Sequence, residues 1–176
     1  MTMWVFGYGS LLWNPGFEVA QTAVATLQGY ARSFCMRSIH HRGTVSEPGL
    51  VLALDQAKES ACRGLALSVV SGREKQTLEY LRERELISSA YLERDLPVTL
   101  DTGETVTAVT YVIDPDHDQY CGGLALEDQA HIIARAIGGR GPNTEYLFNT
   151  TEHLAEMKLN DPELDWLAER VRTLTA

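Results

Sequence analysis

The hydrophobic period of the chain changes near residue 126, and this change limits the folds that the chain can adopt. Before that point, short apolar or alternating runs separated by turn residues predict β-strands, which suit a mostly antiparallel sheet or barrel. One segment there, "SGREKQTLEYLRERELI", has helical spacing instead, with Ser71 as a candidate N-cap. From Leu126 onward the spacing is helical throughout. The sequence therefore predicts an α+β architecture.

The predicted strands lie in "WVF", "TLQGYARSF", "GLVLALD", "CRGLALSVV" and "AYLERDLPVTLDTGETVTAVTYVI", where the "DTGE" turn joins two strands. The predicted C-terminal helices lie in "LEDQAHIIARAIGG", "PNTEYLFNTTEHLAEMK" and "DPELDWLAERVRTL". Because 176 residues can bury a sizeable core and no linker-like stretch divides them, we expect a single domain over residues 1–176.

The charge of the chain restricts its partners. Fifteen Lys and Arg residues against twenty-four Asp and Glu residues give a formal net charge of -9. This balance repels nucleic acid and anionic membrane surfaces. No apolar run approaches the roughly 20 residues that span a bilayer, and no signal-peptide pattern precedes the first strand. We expect a cytoplasmic protein that binds neither nucleic acid nor membranes.

The cysteines and histidines do not have the spacing of a metal site. Cys35, Cys62 and Cys121 are widely spaced and without a CxxC pair, so we expect reduced core cysteines. His40 and His41 are adjacent, and on a strand they would point to opposite faces. The sequence predicts neither a metal nor another cofactor.

The first candidate site is the turn "GYGSLL" that follows the first strand. A dinucleotide-binding fingerprint needs a third glycine where Leu12 stands, and a nucleophile elbow needs GxSxG, whereas Ser10 is followed by leucines. A glycine turn can still aim backbone N–H groups at one anionic or carbonyl oxygen. The alternative is an ordinary tight turn.

The second candidate is Glu85 in "YLRERE". At 100° per residue it lies between Leu78 and Leu81 on the apolar stripe of the predicted helix, whereas Glu79 and Glu83 lie off that stripe. Burial raises the pKa of a carboxyl toward the range where it can accept and return a proton near neutral pH. A structural ion pair with Arg82 or another arginine is the equally open alternative.

The remaining candidates lie in two loops. Arg42 in "HHRG" can meet a carboxylate bidentately, although a solvated loop arginine is commoner. The segment "GGRGPNTEYL" offers Arg140, Asn143, a helix N-terminus and Tyr146, although an ordinary helix-opening loop would account for most of it.

The segments "VFGYGSLLWNPGF", "HHRGTVSEPGLVLALD", "CRGLAL", "YLRERE" and "NTEYLF", in this order, resemble the landmarks of the ChaC family of glutathione-specific γ-glutamylcyclotransferases. The resemblance implies a γ-glutamylcyclotransferase-like fold, a small mostly antiparallel β-barrel flanked by helices. It also implies cleavage of glutathione to 5-oxoproline and cysteinylglycine, with Glu85 as the catalytic acid/base. The substrate loop implied by the resemblance comprises Val5, Phe6, Gly7, Tyr8, Gly9, Ser10 and Leu11. Arg42 and Tyr146 complete the expected substrate-binding set.

The chain departs from many family members after Glu85, where "LISSAYL" replaces a glycine pair before the tyrosine. Two other functions remain open at this point. A non-catalytic regulatory or binding module, as in the family's older label of cation-transport regulator, would not need Glu85. A serine hydrolase would use Ser10 together with a histidine–carboxylate pair. The sequence leaves open whether the protein is a monomer or a homodimer.

Overall fold

The computed structural model describes residues 2–86 and 89–176, so part of the departing segment "LISSAYL" lies outside the described residues. The strands are β1 Trp4–Gly7, β2 Val19–Ser38, β3 Gly49–Val69, β4 Tyr91–Leu100, β5 Thr105–Ile113, β6 Ile137–Gly138 and β7 Gly141–Pro142. The helices are α1 Glu74–Glu85, α2 Leu126–Arg135, α3 Asn143–Glu156 and α4 Pro162–Thr175. A short 3-10 turn, Ser10–Leu12, follows β1.

Five strands close into a barrel in the order β1-β3-β2-β4-β5. Strand β1 runs antiparallel to β3, with Trp4 opposite Ser68, and parallel to β5, with Trp4 opposite Ala108. Strand β4 is antiparallel to both β2 and β5. The predicted α+β fold with a mostly antiparallel barrel and additional helices is confirmed.

One predicted boundary between strands is wrong. The runs "GLVLALD" and "CRGLALSVV" were expected to form two strands, but both belong to the continuous strand β3. The connecting residues "QAKESA" are polar, yet they contain neither glycine nor proline. Because the segment lacks glycine, proline, asparagine and aspartate, its signal for a turn is weak; the backbone stays extended and the side chains are largely exposed.

The helix boundaries are close to those predicted. Helix α1 begins at Glu74, preceded by Arg73, so the prediction of Ser71 as N-cap is wrong. Gly72, with a φ of 89°, separates Ser71 from the helix. The three C-terminal helices are confirmed, and α4 is capped by the Asp161 side chain, which accepts from the amide of Leu164 at 3.2 Å.

The described residues form two compact units, and β2 and β3 contribute residues to both. The first unit comprises the residues up to Arg32 and those from Leu54 to Asp118; the second comprises Ser33–Ala53 and Gln119–Ala176. The expectation of a single domain over residues 1–176 stays a prediction.

Adjacent residues of β1 point into two different clusters of the first unit. Phe6 is buried in the barrel interior with residues from all five strands, among them Leu27, Leu54 and Val98. Val5 is buried on the opposite side of β1, in a cluster that includes Leu81 of α1. This alternation follows from the two-residue period of a strand, and it positions α1 beside β1.

In the second unit, α2, α3 and α4 bury apolar residues of their facing sides, including Ile133, Leu147 and Leu167. Arg170 of α4 binds both carboxylate oxygens of Glu127 in α2 through its Nε atom at 3.0 Å. Among the described residues, no helix is both long enough and apolar enough to cross a membrane.

Candidate active site

The predicted substrate loop begins as a buried strand and continues into a turn in which Ser10 is exposed. Val5 and Phe6 are almost completely buried, and Gly7 and Gly9 are also buried. The turn is closed by the amide of Leu12, which donates to the Gly9 carbonyl at 2.9 Å. Leu11 packs into the cluster shared with α1, whereas Ser10 is exposed. The strand and the inward Leu11 therefore hold the turn from both ends.

A buried arginine that the sequence analysis did not single out supports this loop. The Nε atom of Arg32 donates to the Tyr8 carbonyl at 2.7 Å, and its Nη2 donates to the Arg63 carbonyl at 2.6 Å. Arg32 is only 6% exposed. A charged residue inside a strand run was the available signal, because such a residue is rarely buried without specific partners.

Glu85 is the last residue of α1 and lies on the side of the helix that faces the core. The residues four and eight positions earlier, Leu81 and Thr77, are both buried. The Glu85 side chain is 17% exposed, whereas Glu83 and Glu79 are exposed. The predicted difference in burial between Glu85 and its two neighbours is confirmed.

Burial raises the pKa of the Glu85 carboxyl, and the nearby Arg84 cation only partly opposes the increase. The Arg84 Nε atom lies 3.6 Å from Glu85 Oε1. This separation is an ion pair without a short hydrogen bond between the two groups. Glu85 therefore holds its proton up to a higher pH than an ordinary glutamate does.

Arg82, the partner that the sequence analysis named as an alternative, binds another carboxylate. It contacts Glu93 bidentately at 3.0 and 2.9 Å. Glu93 also accepts from the Tyr111 hydroxyl at 2.9 Å. Hydrogen bonding to Arg82 lowers the pKa of Glu93, while burial raises that of Tyr111. Arg82 thus fastens α1 to the barrel through Glu93.

The hydroxyl of Ser10 accepts a hydrogen bond from Arg84 Nη2 at 2.9 Å. Arginine stays protonated in proteins, so it cannot accept the proton of a serine nucleophile. This contact does not favour the serine-hydrolase alternative. It does connect the turn that contains Ser10 to the residue that precedes Glu85.

Arg42 and Tyr146 lie together in the second unit. The guanidinium carbon of Arg42 is 5.8 Å from the centre of the Tyr146 ring. Arg42 also donates to the Pro142 carbonyl at 3.1 Å and lies 3.5 Å from the Glu145 carboxylate. The Tyr146 hydroxyl accepts from the amide of Leu52 at 3.1 Å. Arg42 is therefore held in place and is 13% exposed, rather than being a solvated loop arginine.

The loops "HHRG" and "GGRG" pair with one another through their backbones. The amides of Gly139 and Arg140 donate to the carbonyls of His40 and His41 at 2.7 and 2.8 Å. A side chain at Gly138 would overlap the backbone of this partner segment, so glycine is required there. The pKa of His41 is lowered by burial and then by nearby cations, of which Arg140 is the strongest.

Asn143 supports this arrangement from the start of α3. Its Oδ1 accepts from the Leu50 amide at 2.8 Å and its Nδ2 donates to the Leu50 carbonyl at 2.9 Å. The buried Asn143 side chain thereby pairs with both backbone groups of Leu50, as the backbone of a neighbouring strand would. Within residues 2–86 and 89–176, no group of three His, Cys, Asp or Glu side chains could hold a metal ion.

Comparison with known proteins gives consistent matches. The model of the ChaC-like protein family matches residues 3–174. The glutathione-specific gamma-glutamylcyclotransferase of Escherichia coli (strain K12) is 36% identical over 174 residues, which cover 99% of this chain and 74% of that protein. Gamma-glutamylcyclotransferase 2-3 of Arabidopsis thaliana is 36% identical over 178 residues, covering 98% of this chain and 89% of the relative.

Among solved structures, a yeast gamma-glutamyl cyclotransferase specific to glutathione superposes with a TM-score of 0.84 at 23% identity, covering 100% of both chains. This likeness confirms the fold that the resemblance implied. The sequence matches extend over almost the whole chain at more than 30% identity. The chain therefore belongs to the ChaC-like protein family.

Proposed function

We propose that this protein is a γ-glutamylcyclotransferase that cleaves glutathione into 5-oxoproline and cysteinylglycine. The observation that carries the proposal is the largely buried carboxyl of Glu85, whose pKa is raised and which lies beside the arginine that contacts the turn after β1. The name of the E. coli relative supports the substrate and the reaction, and the name of the A. thaliana relative supports the reaction.

The reaction is an internal amide exchange that needs no cofactor. The α-amine of the γ-glutamyl group attacks its own γ-carbonyl carbon, which forms the C–N bond of a five-membered lactam. The former amide bond to cysteine then breaks, and cysteinylglycine leaves as an amine. No water is consumed and no electrons change hands, since one amide bond replaces another.

We assign two proton transfers to Glu85. Its carboxylate takes a proton from the α-ammonium, so that the amine becomes nucleophilic. The resulting carboxylic acid then returns a proton to the departing nitrogen. A carboxyl with a raised pKa suits both steps, because its carboxylate is a stronger base than that of an ordinary glutamate and its acid form is still able to give the proton back. The attacking nitrogen loses one more proton to solvent as the lactam forms, and the released amine of cysteinylglycine takes up one from solvent.

We assign substrate binding to the segment from Val5 to Leu11, with Arg42 and Tyr146. Backbone N–H groups of the turn would stabilise the negative charge that develops on an oxygen of the γ-glutamyl group. Arg42, already beside the Glu145 carboxylate, would bind a carboxylate of the substrate.

The proposal includes the properties expected from the charge and the sequence pattern. We place the protein in the cytoplasm, where it acts as a lyase-type enzyme on a small-molecule substrate, as a monomer or a homodimer. It needs no metal or other cofactor and binds neither nucleic acid nor membranes.

The experiment that tests the function is product analysis of the purified protein with reduced glutathione. We expect equimolar 5-oxoproline and cysteinylglycine, identified by mass spectrometry. Parallel reactions with γ-glutamylcysteine and γ-glutamylalanine measure the preference for glutathione. Glutathione that remains intact, under conditions where the protein is folded, would reject the proposal and favour a non-catalytic binding module.

A further inference from the structure

Arg84 contacts the loop after β1 at several points. Its Nη1 atom donates to the carbonyls of Asn14 and Pro15 at 2.7 and 3.0 Å. Its Nη2 atom donates to Ser10 Oγ at 2.9 Å. The three acceptors lie about 70 residues before Arg84 in the sequence. One side chain therefore holds both ends of the Ser10–Pro15 segment.

The same guanidinium lies beside the proposed acid/base. The Arg84 Nε atom is 3.6 Å from Glu85 Oε1, and the Arg84 side chain is 19% exposed. The planar guanidinium directs its donors along fixed lines, so the positions of the loop acceptors and of the carboxylate are coupled. A lysine ammonium would keep the charge without this fixed set of directions.

Two further residues, Tyr80 and Gly16, contribute to this contact. The Tyr80 hydroxyl accepts from Arg84 Nη1 at 3.2 Å. Gly16 has a φ of 76°, and a side chain at this position would overlap the Tyr80 hydroxyl. The loop can therefore pass next to Tyr80 and Arg84 because residue 16 is glycine.

We propose that Arg84 is a positioning residue, which holds the loop from Ser10 to Gly16 against the last turns of α1 and so fixes the substrate loop relative to Glu85. The catalytic consequence rests on the proposed function, whereas the attachment of the loop does not. Arg84 acts through the loop and through Glu85, without a chemical step of its own.

The test compares Arg84→Met and Arg84→Lys with the control Arg73→Met, which removes an exposed arginine that contacts Gln76 near the start of the same helix. With glutathione, Arg84→Met should raise KM about tenfold or more, because the loop is no longer held. The acid limb of its kcat/KM profile should move to higher pH, since loss of the cation raises the pKa of Glu85.

Arg84→Lys separates the two effects. It should raise KM but leave the acid limb near that of the parent protein, because the charge remains while the directed hydrogen bonds do not. Arg73→Met should change neither quantity. If both Arg84 variants keep the parent KM and acid limb in an active enzyme, the inference is wrong. If Arg84→Met does not fold, the KM of Arg84→Lys decides.

Amide hydrogen exchange tests the attachment without any substrate. Peptides covering residues 10–16 should exchange faster in Arg84→Met and Arg84→Lys than in the parent protein or Arg73→Met. Faster exchange in the two Arg84 variants, together with a parent protein that leaves glutathione intact, would support the attachment while the proposed function fails. Unchanged exchange in both Arg84 variants would overturn the attachment, whatever the enzyme does.

Discussion

The substitution Glu85→Gln should almost abolish cyclotransferase activity while Glu83→Gln leaves it intact. The two changes are chemically identical and two residues apart. Glu85 lies on the core-facing side of α1 with a side chain that is 17% exposed, whereas Glu83 is exposed. Glutamine keeps the size of glutamate and an acceptor oxygen, but it cannot take the proton of the α-ammonium.

The expected loss is in kcat. Removing a general acid–base group typically costs about 10²- to 10⁴-fold, which corresponds to about 2.7–5.5 kcal/mol in the activation barrier. Release of 5-oxoproline from glutathione, followed under saturating substrate, gives kcat for the parent and both variants. A Glu85→Gln protein that is folded and retains the parent kcat would refute Glu85 as the base.

The melting temperature is the control, and it has its own predicted pH dependence. Because burial raises the folded-state pKa of Glu85 above the ordinary value of 4.5, the folded protein holds this proton more tightly than the unfolded chain. Its contribution to stability is therefore present below that ordinary value and is lost as the pH rises through the raised folded pKa.

Glu85→Gln removes this loss of stability. The difference in melting temperature between Glu85→Gln and the parent protein should therefore grow in favour of the variant as the pH rises above about 4. Each kcal/mol of recovered stability corresponds to about 2–4 °C. Glu83→Gln should show no such change. A large fall in the melting temperature of Glu85→Gln at neutral pH would instead make Glu85 a structural ion-pair partner.

Three other changes have defined outcomes. Arg42→Ala should raise KM for glutathione about ten- to hundredfold, because a charge-assisted contact is typically worth about 1.5–3 kcal/mol; an unchanged KM would assign Arg42 to the scaffold. Asn143→Ala should lower the free energy of unfolding by about 2–4 kcal/mol in urea titrations, since it leaves the N–H and C=O of Leu50 without their side-chain partner; a parent-like midpoint would contradict this. Exhaustive EDTA treatment should leave turnover unchanged, and a loss restored by one specific metal would overturn the cofactor-free mechanism.

The burial of Glu85 could be predicted because it depends on the helical period alone. Leu78, Leu81 and Glu85 share one side of any helix formed there, whichever element packs against that side. The α+β class and the three C-terminal helices were predictable for the same reason. In contrast, β3 contains a polar stretch between two apolar stretches. Local composition does not show that all three stretches belong to one continuous strand.

The residues that position the site could not be predicted from local patterns. Arg84 contacts Asn14 and Ser10, about 70 residues away, and Arg32 contacts the Tyr8 carbonyl across 24 residues. Their acceptors are mostly backbone carbonyls, which every residue carries. Arg84 was therefore indistinguishable from other arginines until the fold placed it beside the loop. The position of Arg32 inside a strand run indicated burial, but not which carbonyls it contacts.

The most direct test of the central claim is the fate of solvent oxygen during cleavage of glutathione in H₂¹⁸O. Attack by the substrate's own α-amine consumes no water, so the 5-oxoproline released should carry no ¹⁸O, in amounts equal to cysteinylglycine. Attack by water would instead give glutamate with one ¹⁸O in its γ-carboxyl group. Labelled glutamate as the first product, without 5-oxoproline, would contradict intramolecular cyclisation and the role assigned to Glu85.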